Sequence, residues 1–174
     1  MSTNITSGDT IDGEQLRLVM RSVPSPIVVV TAVYDQEAWG ITLGSFTSVS
    51  LDPPLISFNV ARQSRMHDIL SLATQYAVHL LGSEDVPLSS RFSDPTRSAD
   101  TQFDGLRHEV SSNGLPLLQE TIGILLCKPF ACHEAGDHSL FIGQVTGAQQ
   151  LQTDKLPLLY YNRSYRTIGE PVTG

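Results

Sequence analysis

The chain is poor in cysteine, in basic residues and in long apolar runs, and each scarcity removes a class of protein. Two cysteines among 174 residues, Cys127 and Cys132, are too few for a disulfide framework and point to a reducing, cytoplasmic setting. The 11 Lys and Arg side chains are outnumbered by 18 Asp and Glu, for a formal net charge of −7. Without a basic cluster to displace phosphate counterions, the chain offers no nucleic-acid surface. The longest apolar stretch, around Ile27–Val33, is far short of the ~20 residues of a membrane helix. The opening segment MSTNITSGDTIDGEQ has neither the basic start nor the apolar core of a secretory signal. No GxGxxG, Walker A or G-x-S-x-G sequence occurs, so phosphate-loop and nucleophile-elbow chemistries have no support. Metal binding is not expected either. Cys127, Cys132, His133 and His138 lack the C-x2-C pairing of zinc sites, and strand alternation would send the two thiols to opposite faces.

What remains is an ordinary globular composition, 40% hydrophobic, at the length of one domain. We expect a flexible N-terminus over 1–11, a domain over 12–168 and a tail over 169–174. Asp12 followed by Gln15 reads as a capping box, and Leu16, Val19, Met20 and Val23 recur at helical spacing. This predicts a helix over about 13–22, stopped by Pro24 and Pro26. Strand patterns follow at Ile27–Tyr34, Ile41–Ser48, Leu55–Val60, Tyr76–Leu81, Ile122–Cys132, Ser139–Ala148 and Leu158–Tyr161. Met66–Ala73 repeats at helical spacing behind Ser64, a natural N-cap. Leu88 and Phe92 mark another short helix, and 93–114 reads as a long excursion. The pattern is mainly β with short helices, hence a closed or nearly closed antiparallel barrel.

Three places could carry chemistry. In Gly40–Pro54 (GITLGSFTSVSLDPP), the hydroxyls of Thr42, Ser45, Thr47, Ser48 and Ser50 could bond a flat polar ring or a phosphate without adding charge, though Ser and Thr also occupy strand faces for no functional reason. Arg62 and Arg65 flank Ser64 at a helix start, where unpaired N–H groups and the dipole favour an anion. Gly136-Asp137 delivers the imidazole of His138 to a strand mouth.

The segment Gly40–Pro54, followed by Leu55-Ile-Ser-Phe-Asn-Val60 and Ser64, resembles the flavin reductase-like, FMN-binding split-barrel family. Phe103-Asp-Gly-Leu106, Gly114-Leu-Pro-Leu117, Gly136-Asp-His138 and Pro157-Leu-Leu-Tyr-Tyr161 follow in that family's order, so the likeness runs from about Arg17 to Ile168. It implies an antiparallel split β-barrel and NADH- or NADPH-dependent reduction of FMN or FAD. In that family such an enzyme is often a homodimer that supplies reduced flavin by diffusion to a partner monooxygenase. Residue by residue, it implies isoalloxazine contacts from Thr42, Ser45, Phe46 and Thr47. Ser48, Ser50 and Asp52 then match the ribityl and phosphate end, and Ser64 and Arg65 look like phosphate binders. His138 resembles the catalytic histidine on the nicotinamide side. Gly44 stands where many relatives carry a small hydroxyl or Ala, and Tyr161 where His is frequent. Two other readings share these residues: a flavoprotein that holds FMN tightly and acts on a small organic substrate, and a non-catalytic flavin-binding or electron-relay module.

Overall fold

β-Branched residues in alternation dominate the chain, and they form strands almost wherever they recur. The computed structural model describes residues 11–171. Its helices are α1 (Gly13–Met20), α2 (Arg65–Leu72), α3 (Val86–Phe92) and α4 (Ala99–Gln102). Its strands are β1 (Ser25–Pro26), β2 (Val28–Tyr34), β3 (Glu37–Leu43), β4 (Thr47–Leu51), β5 (Pro54–Ala61), β6 (Tyr76–Leu80), β7 (His108–Val110), β8 (Pro116–Leu118), β9 (Gly123–Ala135), β10 (His138–Gln150), β11 (Leu159–Tyr161) and β12 (Ser164–Arg166). The flexible segment expected over 1–11 lies, but for Ile11, outside the described residues, as do 172–174 of the expected tail.

Seven strands make the main sheet, in the order β3-β2-β6-β9-β10-β5-β4, antiparallel throughout. The strand expected over Ile41–Ser48 is in fact two, because the chain breaks at Gly44-Ser45-Phe46 and β3 and β4 become the opposite edges of the sheet. The expected closure is therefore incomplete, and the barrel is split between β3 and β4. It still curls: Val28 and Val30 of β2 share one core with Phe58 and Val60 of β5, although three strands lie between them in the sheet. Met66, Ile69 and Leu70 of α2 fill the same core. A second core, with Ile27, Val29, Leu81, Phe92 and Leu118, lies on the outer face of β2 under α3. There a Cβ at Gly40 would meet the Phe92 ring at 2.5 Å, so only glycine lets the helix come down on β3.

Two irregularities shape the β9–β10 hairpin. Pro129 pairs with Gly143 and Ala131 with Ile142, which leaves Phe130 unpaired in a bulge. The extra residue shifts the alternation, so Cys127 faces Val145 and Cys132 faces Phe141. The two thiols thus share a face, contrary to the simple alternation rule. Cys127 is buried, which pushes its thiol up to about 12, and Cys132 is exposed. Among the described residues, β9 beyond Cys127 has only β10 beside it; β6 pairs with its first half, Gly123–Cys127.

His79 sits fully buried on β6. Its Nδ1 lies 3.1 Å from the Val29 carbonyl, and its Nε2 accepts the Leu118 N–H at 3.1 Å. The ring is therefore the neutral Nδ1–H tautomer, pinning β8 to the sheet, and burial pushes its pKa down to about 4.

The Asp12 side chain caps α1 through the Glu14 N–H at 3.0 Å. The apolar positions of α1 find no core: none of its residues is buried. Among the described residues, no helix is long and apolar enough to cross a membrane.

Candidate functional site

The C-terminal end of β5 gathers three of the sequence-predicted features. The Ser45 hydroxyl accepts the Asn59 N–H at 2.9 Å and donates to the Asn59 carbonyl at 3.3 Å, clamping the β3–β4 link onto β5. Two residues on, Ala61 pairs with His138, and the Arg62 N–H donates to the Asp137 carbonyl at 3.0 Å. Ser64 then caps α2, its hydroxyl accepting the His67 N–H at 3.2 Å. The helix N-terminus presents its remaining free N–H groups beside Arg65. The Ser45 end of the hydroxyl strip, the histidine turn and the anion-type helix end thus meet at one corner of the sheet.

The hydroxyl strip is open. β4 is an edge strand, so its outer N–H and C=O groups have no strand partner among the described residues. Thr47 and Ser48 are exposed, and the Ser48 and Ser50 hydroxyls make no hydrogen bond among the described residues. Donors and acceptors without charge, with a cation at one end, are the set that a flat heteroaromatic ring bearing a phosphate requires. On this observation the residues fit a flavin.

Not every expected residue joins them. The Thr42 hydroxyl donates to the Ser89 carbonyl at 2.7 Å and ties α3 to β3, which leaves only its lone pairs for a ligand. Phe46 packs against the first core. Asp52 lies in the turn joining β4 to β5, at the opposite end of the hairpin from Ser64. Ser50 pairs with Leu55, six residues before Ala61, which is roughly 20 Å along a strand. Antiparallel pairing therefore puts Ser45–Thr47 between the two groups first matched to a phosphate end, and Asp52 is a carboxylate that would repel one.

Gly136, with φ of 64°, opens the two-residue turn from β9 to β10, a conformation that favours glycine. His138 begins β10 with its side chain 45% exposed. Its Nδ1 lies 2.7 Å from Asp137 Oδ1, and the imidazole beside Asp137 holds that carboxyl below its ordinary range. Nε2 is the ring nitrogen left for a ligand.

Arg65 is already engaged: its guanidinium grips the Glu37 carboxylate through Nε at 3.2 Å and through Nη2. Arg62 pairs with Glu134 at 3.1 Å. Asn59, Asp137 and Glu37 were not among the expected site residues. Asn59 carries a signal, an amide side chain inside LISFNV. Glu37 has none, since it meets Arg65 across 28 residues.

The fold agrees with what known proteins show. A model of the flavin reductase like domain matches residues 20–169, and the chain belongs to that family. An NADH:FMN oxidoreductase of Rhodococcus qingshengii is 37% identical over 169 residues, covering 95% of this chain and 83% of that protein. The reductase component of an FADH(2)-dependent resorcinol hydroxylase from Rhizobium sp. (strain MTP-10005) is 31% identical over 155 residues, covering 88% and 86%. Among solved structures, the NADH:FAD oxidoreductase SgcE6 of Streptomyces globisporus C-1027, in complex with NAD and FAD fragments, superimposes with a TM-score of 0.83. It is 30% identical and covers 93% of this chain and 98% of its own.

Proposed function

We propose that this chain is an NAD(P)H:flavin oxidoreductase, with residues 12–168 as its functional unit, that reduces FMN or FAD and releases it to a partner monooxygenase. The observation that carries this reading is the convergence at the end of β5 of the Ser45 clamp, the His138 turn and the capped start of α2. Bound flavin supplies the hydride chemistry, accepting from the nicotinamide. The chain's own work is then to bind, orient and exclude water, for which no strong acid or base is needed. Thr47 and Ser48, with the free edge of β4, hold the ring and ribityl chain, while Ser64, Arg65 and the α2 N–H groups take the phosphate. Asp137 fixes the His138 ring, whose Nε2 orients the nicotinamide carboxamide.

A homodimer completes the site. The proposed contacts lie on an open surface of the single chain, and exposed apolar side chains share their strand: Leu51 is 89% exposed on β4, with Val49 also bare. A second copy covering this strip would supply the dry wall that hydride transfer requires. The free thiols of Cys127 and Cys132 suit a cytoplasmic setting.

Following NADH and NADPH oxidation with and without FMN, FAD and riboflavin tests the assignment. Turnover that depends on added flavin is the expected result. Protein that stays yellow through dialysis and turns over without added flavin would instead indicate a tightly held prosthetic group.

A further inference from the structure

Glu37 is the first residue of β3, directly after the Asp35-Gln36 turn. Its carboxylate occupies the Nε/Nη2 edge of Arg65, the edge with which arginine binds an oxyanion in two-point fashion. Asp68 Oδ2 lies 3.8 Å from the remaining nitrogen, Nη1. The neighbouring cation, Arg62, is matched by Glu134. The start of α2 thus holds one arginine and two carboxylates, and among the described residues both arginines beside the Ser64 cap are matched.

We propose that Glu37 is an internal competitor for the flavin phosphate: it occupies Arg65 in the flavin-free protein and must yield when a phosphorylated flavin binds. The proposal rests on the reading of Ser64 and Arg65 as the phosphate end. Both side chains are partly exposed, 51% for Arg65 and 32% for Glu37, so the pair is in contact with solvent and can exchange partners. The Arg65 guanidinium holds the Glu37 carboxyl below its ordinary range, which keeps it charged at neutral pH. A phosphate arriving at this corner gains the helix N–H groups, but gains Arg65 only by displacing Glu37, and then sits near that carboxylate and Asp68. Riboflavin, which has no phosphate, escapes the competition. Glu37 therefore weakens phosphorylated flavins selectively and favours their release, which suits a protein for which flavin comes and goes as a substrate.

The test measures dissociation constants for FMN and riboflavin by flavin fluorescence in the wild type, Glu37→Gln, Glu37→Ala, Arg65→Ala and the Glu37→Gln/Arg65→Ala double variant, with circular dichroism confirming the fold. Both Glu37 variants should tighten FMN by about threefold to tenfold, the scale of an exposed ion pair, and leave riboflavin within about twofold. In the Arg65→Ala background, the gain from Glu37→Gln should shrink to within about twofold, the screened repulsion alone. If Arg65→Ala weakens FMN selectively but the Glu37 variants leave FMN unchanged, the competition is refuted and the phosphate site stands. If Arg65→Ala moves FMN and riboflavin alike, or neither, the phosphate site itself is wrong and the competition falls with it.

Discussion

The Tyr76 hydroxyl rests on the α-carbon of Gly143: a Cβ built there would stand 1.8 Å from the phenol oxygen and 2.8 Å from the carbon that carries it. Tyr76 is 1% exposed, and its hydroxyl has no hydrogen-bond partner among the described residues. Burial raises its pKa, so the proton stays on. Gly143→Ala should cost about 1–3 kcal/mol in urea unfolding, because a packed ring cannot move aside cheaply. Tyr76→Phe removes an unpaired buried hydroxyl and should be neutral or stabilising. It should also recover much of the loss when combined with Gly143→Ala. A Gly143→Ala protein of wild-type stability would show that the ring is free to shift.

His138→Ala should lower kcat/KM for the nicotinamide by roughly tenfold to a hundredfold, about 1.4–2.7 kcal/mol, with little change in flavin Kd. The imidazole acts on charge that gathers mainly in the transition state. If flavin affinity falls in proportion to rate, His138 belongs to the flavin pocket instead. A lower Tm with unchanged rates per folded molecule would reduce it to a packed strand end.

Light scattering at micromolar concentration should give twice the 19.0 kDa chain mass. Leu51→Glu should shift the mass toward the single chain and weaken flavin binding, since it charges the bare edge strand beside the site. A monomer with full turnover would show that one copy suffices.

Stability should fall as pH drops from about 6.5 to about 4. His79 is pushed down to about 4 in the fold, whereas an unfolded histidine takes its proton near 6.5. In that window the unfolded chain binds a proton that the folded chain refuses, so the stabilisation is complete above about 6.5 and is lost progressively below it. The loss is on the order of 3 kcal/mol. Asp85, whose carboxyl is raised mainly by burial, works in the opposite direction. NMR should show the His79 ring still in its neutral Nδ1–H form at about pH 5.5; a titration midpoint near 6.5 would contradict the burial argument.

Much of this fold was legible in local pattern. Alternation located most strands to within a few residues, and Ser64 and Asp12 cap their helices as their positions suggested. The break at Gly44-Ser45-Phe46 left only a faint trace: Phe46 stands three residues after Leu43, out of step with Ile41 and Leu43, yet packs into the same core. The bulge at Phe130 is marked only by Pro129 before it, and one inserted residue reverses every face beyond it. At the site, caps and turns are local and could be read, but partnerships across the sheet could not. That Ser45 would bond Asn59, that Arg65 would be held by Glu37, and that Asp52 would lie a hairpin's length from Ser64 all follow from strand order.

The unequal support of β9 along its length sets the rate at which its amides meet deuterium. β6 is paired on both sides and buried from Tyr76 to His79. Its amides, with those of Gly123–Cys127, should exchange only when the whole domain unfolds. Among the described residues, Lys128–Ala135 have β10 alone beside them and lie mostly in solvent. They should exchange through local opening of the hairpin tip, which is also the tip that carries His138. Protection that appears there on raising protein concentration would report a second chain against that edge, and protection that appears on adding NAD(H) would report the nicotinamide.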